Sequence, residues 1–200
     1  MKRALLLTLM LFLAAPLFAM SRDTFQANMR KLWEDHVTWT RLYIVSAAAG
    51  LPDAQPTAQR LLDNQRDIGN AVAEFYGKAA GDKLTGLLRD HILTAADLVT
   101  AAKAGDQAKV AAAKTKWYAN ANDIAAFLHG ANPTNWPLAT LQSAMKTHLD
   151  QTLDEATHQL HHDYPASIKD YDAIVNHILM MADVLSSGII KQFPKKFDRA

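Results

Sequence analysis

Five breaks rich in Gly, Pro and Asp divide residues 24–191 into six stretches of helical length, and this spacing limits the possible folds more than any other feature of the sequence. The breaks are Gly50-Leu51-Pro52-Asp53 with Pro56, Gly77 to Asp82, Gly105-Asp106, Gly130 to Pro137, and Asp163 to Ser167. Between them apolar residues recur with a helical period, and no run of alternating β-branched residues is long enough for a strand. The spacing predicts helices near 24–49, 57–76, 83–104, 107–129, 138–161 and 167–191. Asp82 and Asp106 are placed to cap helix N-termini with a side-chain oxygen, and Pro137 suits a first helical turn, where its missing N–H costs nothing. Short turns in series make antiparallel neighbours, so the expected fold is all-α, an up-down bundle of about six helices.

A repeat runs through the six stretches. Leu32-Trp33-Glu34-Asp35-His36, Leu87-Leu88-Arg89-Asp90-His91 and Ala144-Met145-Lys146-Thr147-His148 occupy equivalent points of the first, third and fifth helices. Four residues after each His stands Thr40, Ala95 or Thr152, and an Asp marks each following turn, as Asp53, Asp106 and Asp163. The second and fourth helices share Asn64-Gln65-Arg66-Asp67-Ile68-Gly69 against Asn120-Ala121-Asn122-Asp123-Ile124-Ala125, while the sixth keeps an Asp at Asp183. Three repeated αα-hairpins account for this pattern better than six unrelated helices.

On a helical projection His36, His91 and His148 each fall at the centre of an apolar stripe, and His177 does the same on the sixth helix. Glu155 lies on the His148 stripe, seven residues on. A carboxylate turned to the core needs a cation, a metal or a proton to offset its desolvation. Counting from each turn places the inward His and the Asp of its partner helix in about the same layer. A layer of neutral imidazoles with carboxylates beside it is what Zn, Fe, Mn or Cu requires on facing helices, and the expected partner of this layer is a metal ion or a small ligand. The candidate ligands are His36, His91, His148, His177, Glu155 and Asp183, with Asp67, Asp123, Asn64 and Asn120 orienting them. The same residues also suit an internal hydrogen-bond clip, each His bonded to the Asp or Asn of its own hairpin. A third reading uses the layer for metal-assisted oxidation or hydrolysis. The Glu-x-x-His signature of di-iron bundles does not occur.

Other features point away from specific activities. The sequence has no Cys, which removes disulfides, thiolate ligands and thiol nucleophiles. It has no Gly-rich phosphate loop, no Gly-x-Ser-x-Gly and no His-Glu-x-x-His. Its net charge of +1 gives no field to steer nucleic acid. Residues 1–19 read as a signal peptide, with Lys2 and Arg3, an apolar run from Ala4 to Leu13, and cleavage expected after Ala19. Residues 20–200 then form one helical domain, periplasmic or secreted, with no membrane segment after cleavage. Loss of Lys2 and Arg3 leaves 19 basic against 20 acidic residues, a net charge of −1. Trp33, Trp39 and Arg41 flank His36, and Arg41 is expected to pair with a neighbouring acid. His158, His161 and His162 cluster at one helix end, and Asp170-Tyr171-Asp172 suits a helix N-terminus. Gln192 to Phe197 reads as a tail that packs on the bundle or touches an acidic surface.

Four strings together, Leu32 to Arg41, Asn64 to Gly69, Ala131 to Pro137 and Leu185 to Pro194, resemble a bacterial family of small exported helical proteins, whose members often carry the names glycosyltransferase or acetylglutamate kinase. The resemblance implies export and an all-helical fold. A kinase or transferase of either sort would imply a nucleotide-binding α/β fold, and the sequence offers no strands for one.

Overall fold

The computed structural model describes residues 20–197. Six helices follow one another: α1 (Arg22–Ala49), α2 (Ala54–Tyr76), α3 (Lys78–Lys103), α4 (Gln107–Ala131), α5 (Leu138–Leu160) and α6 (Tyr164–Gln192), with a short 3-10 turn at Pro194–Lys196. The expected all-α bundle is what the chain forms. Among the described residues no strand occurs, and the one β-bridge joins Met20 to Phe197. The expected signal peptide lies outside the described residues.

Local signals set most helix ends. Ser21, Asp106 and Asp163 each accept a backbone N–H of the following first turn, and Gly50 takes the left-handed conformation that closes α1. Three helix starts differ from expectation: α2 and α6 each begin three residues early, at Ala54 and Tyr164, so that Pro56 and most of the Asp163 to Ser167 break are helical, and α3 begins five residues early. The predicted break from Gly77 to Asp82 shrinks to Gly77, whose φ of 87° turns the chain within one residue. Asp82 therefore lies inside α3, where it pairs with Lys78 rather than capping a helix.

Each helix packs on its neighbours in sequence, and α6 returns to pack on α1, so the bundle closes into a ring. The odd helices α1, α3 and α5 also touch one another across the middle. Their inner faces meet in a core that includes Trp33, Val37, Leu84, Leu88, Met145 and Leu149. The close approach of α2 and α3 depends on Gly69 and Gly81: a Cβ on Gly81 would stand 2.5 Å from the Gly69 carbonyl oxygen. Helix α6 is long and apolar enough by length and composition to cross a membrane, a feature the expectation of no further membrane segment did not include. Its Ile174, Ile178, Leu185 and Ile189 are buried against the rest of the bundle.

Candidate functional site

Because the odd helices form the inner triangle, the histidines at the centres of their stripes converge. His36, His91 and His148 are only 2%, 3% and 4% exposed. The His148 ring lies between the other two, its centroid 5.7 Å from that of His36 and 6.4 Å from that of His91. Burial in low dielectric disfavours the charged form and pulls His36 down to about 3 and His91 to about 4; repulsion from His91 adds to the shift at His36. His148 lies well below its ordinary value, first through burial and then through the charges of His36, His91 and His177. The layer consists of neutral imidazoles.

The hydrogen bonds decide what those rings can do. Asn120 donates through Nδ2 to the Leu87 carbonyl at 3.0 Å, which leaves its Oδ1 as an acceptor for His91 Nδ1 at 2.8 Å. His91 Nε2 then accepts from Trp117 Nε1 at 3.1 Å. These bonds define a single neutral tautomer with both ring nitrogens engaged. In the first hairpin two residues divide the work. Asn64 Nδ2 donates to the Leu32 carbonyl at 3.0 Å, while Gln65 Nε2 stands 3.2 Å from His36 Nδ1, 2.8 Å from Leu61 O and 3.1 Å from Asn64 Oδ1. Two amide hydrogens facing three acceptors hold His36 more loosely than His91 is held. In the third hairpin His177 Nε2 donates to the Ala144 carbonyl at 2.9 Å.

Leu32, Leu87 and Ala144 each lie one helical turn before an inward His. In all three hairpins the even helix is thus tied to the same carbonyl, through that oxygen's second lone pair. Three polar atoms near the layer lack partners: His148 Nδ1, Gln65 Oε1 and Trp33 Nε1. Trp33 meets the edge of His36 with centroids 5.8 Å apart.

The carboxylates expected beside the imidazoles lie elsewhere. Glu155, 1% exposed, accepts from Arg41 at 2.6 Å, and the same guanidinium nitrogen donates to Ser167 O and Oγ. Burial raises the Glu155 carboxyl to about 7; Arg41 opposes the shift and Asp170 adds to it. Asp183 forms a forked ion pair with Arg30 on the surface. Asp123 is exposed and Asp67 half-buried at the rim of a surface groove, whereas Asn64 and Asn120 point inward. The azimuth explains this: the Asp positions sit at the edge of their stripes, three residues beyond the asparagines. Among the described residues no group of three or more His, Asp or Glu side chains is placed to hold a metal ion. The proposed ligand set of His36, His91, His148, His177, Glu155 and Asp183 therefore divides into a histidine layer, one buried ion pair and one surface ion pair.

Two partners were missed at the sequence level, though their positions carried a signal. Counting 29 residues on from each inward His reaches Gln65, Asn120 and His177, the polar residues of the three even helices at this level. Trp117 lies three residues before Asn120, on the same helix face. At the helix end, His158 Nδ1 is 2.6 Å from Asp170 Oδ2, and His162 meets the Tyr164 hydroxyl at 3.0 Å. No family model, curated protein or solved structure matches the chain.

Proposed function

We propose that this chain is a non-catalytic helical bundle, exported to the periplasm or secreted, in which His36, His91 and His177 are interhelical hydrogen-bond clips. One observation carries the reading: His91 has both ring nitrogens engaged, by Asn120 and Trp117, so it has no lone pair to offer a metal without losing a bond. The matched bonds to the carbonyls of Leu32, Leu87 and Ala144 support the clip and are what three copies of one αα-hairpin would keep. Fixing register is a task that buried, hydrogen-bonded polar groups such as His91 and Asn120 suit, because an alternative register would leave them unpaired.

A second reading rests on a separate observation. His148 Nδ1 is buried and unpartnered, and the His36 ring is its neighbour. A single Zn, Cu, Mn or Fe ion held by these two rings would satisfy that nitrogen.

One set of measurements separates the two readings. Protein purified without an affinity tag, starting at Met20 if export and cleavage occur as proposed, is assayed for bound metal and melted with and without each ion. The clip reading expects no stoichiometric metal and an unchanged melting temperature; a bound equivalent or a clear rise supports the second reading. His91→Leu is expected to fold but lose about 1–3 kcal/mol, because Asn120 Oδ1 and Trp117 Nε1 are left unpaired in the core. A variant as stable as the parent would overturn the clip.

A further inference from the structure

One helical turn beyond the histidine layer the inner faces of the odd helices carry Thr40, Ala95 and Thr152, the residues four positions after His36, His91 and His148. These three line a cavity of about 110 Å³. Small side chains at this level, with Ala156 and Ala102 beside them, leave space where larger ones would have closed the core.

The walls are apolar in effect as well as in composition. Both threonine hydroxyls in this layer are already used, Thr40 donating to the His36 carbonyl and Thr152 to the His148 carbonyl, each at 2.8 Å. Leu61, Ile92 and Leu98 complete the aliphatic lining, and Trp117 contributes an indole face while its N–H is held by His91. Neither Glu155 nor any other ionisable carboxylate, Lys or Arg is among the residues around the space. The cavity is not sealed: Thr157 in its lining is exposed, and Tyr43, Ala102, Val110 and Leu153 are half-buried.

We infer that this cavity is a binding site for one small, uncharged, apolar molecule of single-ring size. An enclosed aliphatic cavity of about 150 Å³ accepts benzene or xenon, and this one, of about 110 Å³ and open on one side, offers the same kind of lining at a slightly smaller size. A charged molecule would lose its hydration and gain no partner. The site is separate from the proposed clip: a ligand here needs no imidazole nitrogen, and the clip needs no ligand.

The test uses the purified protein with benzene, toluene and, as the charged counterpart, benzoate. Benzene or toluene at ten times its dissociation constant is expected to raise the melting temperature by about 3–6 °C and benzoate to leave it unchanged. In methyl-resolved NMR the apolar probes should shift Ile92, Leu98, Val99 and Leu153 and leave Ile189, near the C-terminal end of α6 and not among the lining residues, unmoved. Ala95→Leu and Ala156→Leu fill the space and should abolish both effects. Three results would each overturn the inference: no response to the apolar probes, binding of benzoate equal to that of toluene, or filled variants that bind like the parent. Should the filled variants fail to fold, the NMR of the parent decides alone. Shifts confined to the cavity methyls support the site, and shifts elsewhere overturn it.

Discussion

His36, His91 and His148 place three groups with depressed pKa values in one layer, and this makes the fold sensitive to acid. In the unfolded chain each imidazole returns to about 6.5, so below that pH the unfolded state binds more protons than the folded one. Their contribution is complete above pH 6.5 and is lost as the pH falls toward 4 and then 3. Glu155 acts in the opposite sense: its folded value is raised from 4.5 to about 7, so its contribution is present below pH 4.5 and lost as the pH rises through 7. His158, raised by Asp170 at an exposed position, works in the same direction as Glu155. Three depressed groups against these two leave a net uptake of about two protons on unfolding near pH 5.5. Stability should therefore fall by about 2 kcal/mol per pH unit between pH 6.5 and 4.5, which urea titrations at fixed pH can measure. A flat profile across that window would mean that the folded layer already carries charge.

At the scale of single residues the sequence identified which histidines face inward but not their partners. Apolar periodicity fixes a direction toward the core, and His36, His91 and His148 follow it. Pairing depends on azimuth to within a fraction of a turn. Asp67 and Asp123, three residues beyond the asparagines, rotate outward, and Glu155 reaches Arg41 on another helix, a contact visible only once α1 and α5 are side by side.

At the scale of helices, glycine separates packing from propensity. Inside a helix Gly is usually worse than Ala by about 1 kcal/mol, because the unfolded chain has more freedom to lose. Gly86 in α3 has open space where a Cβ would go, so Gly86→Ala should stabilise by about 0.5–1 kcal/mol. Gly69 and Gly81 have no such room. A Cβ on Gly69 would collide with Thr85 Oγ1, and one on Gly81 with the Gly69 carbonyl and the Ala73 Cβ. These obstacles are backbone or short side chains, and the Gly81 carbonyl also stands 2.7 Å from a Cβ on Gly69, so α2 and α3 would have to separate. Gly69→Ala and Gly81→Ala should each cost roughly 1–3 kcal/mol despite the propensity gain. Melting the three variants in parallel tests the contrast, and equal effects would show that the α2–α3 approach is looser than described. The same approach accounts for the misplaced boundary: Gly81 reads as a turn residue in sequence, but it is a packing residue inside α3.

At the scale of the molecule, the ring of helices brings the two ends of the described chain together. Short turns predict neighbouring antiparallel helices, and that much was legible in the Gly, Pro and Asp spacing. Closure of α6 onto α1 is a long-range event with no local signal. It leaves the two sequence readings of the tail, packing or an acidic partner, to be distinguished by where Phe193 and Phe197 go. Phe197 is buried, tilted against Phe25 with centroids 5.1 Å apart and stacked on Phe75 at 5.5 Å. Phe193 meets Phe75 and Tyr76, and Lys196 lies over the Phe75 ring while its ammonium donates to the Glu74 carbonyl. Lys195, by contrast, is exposed. The tail thus packs on the end of the bundle formed by the start of α1 and the close of α2, where the Met20 bridge to Phe197 ties both ends of the described residues to one place. Truncating a buried Phe to Ala typically costs about 3–5 kcal/mol. Phe197→Ala should accordingly lower the melting temperature by about 10 °C, while Lys195→Ala leaves it within the error of the measurement. If instead Phe197→Ala melts like the parent, the tail adds nothing to the closure of the ring, and the α1–α6 contact must hold the ends of the bundle alone.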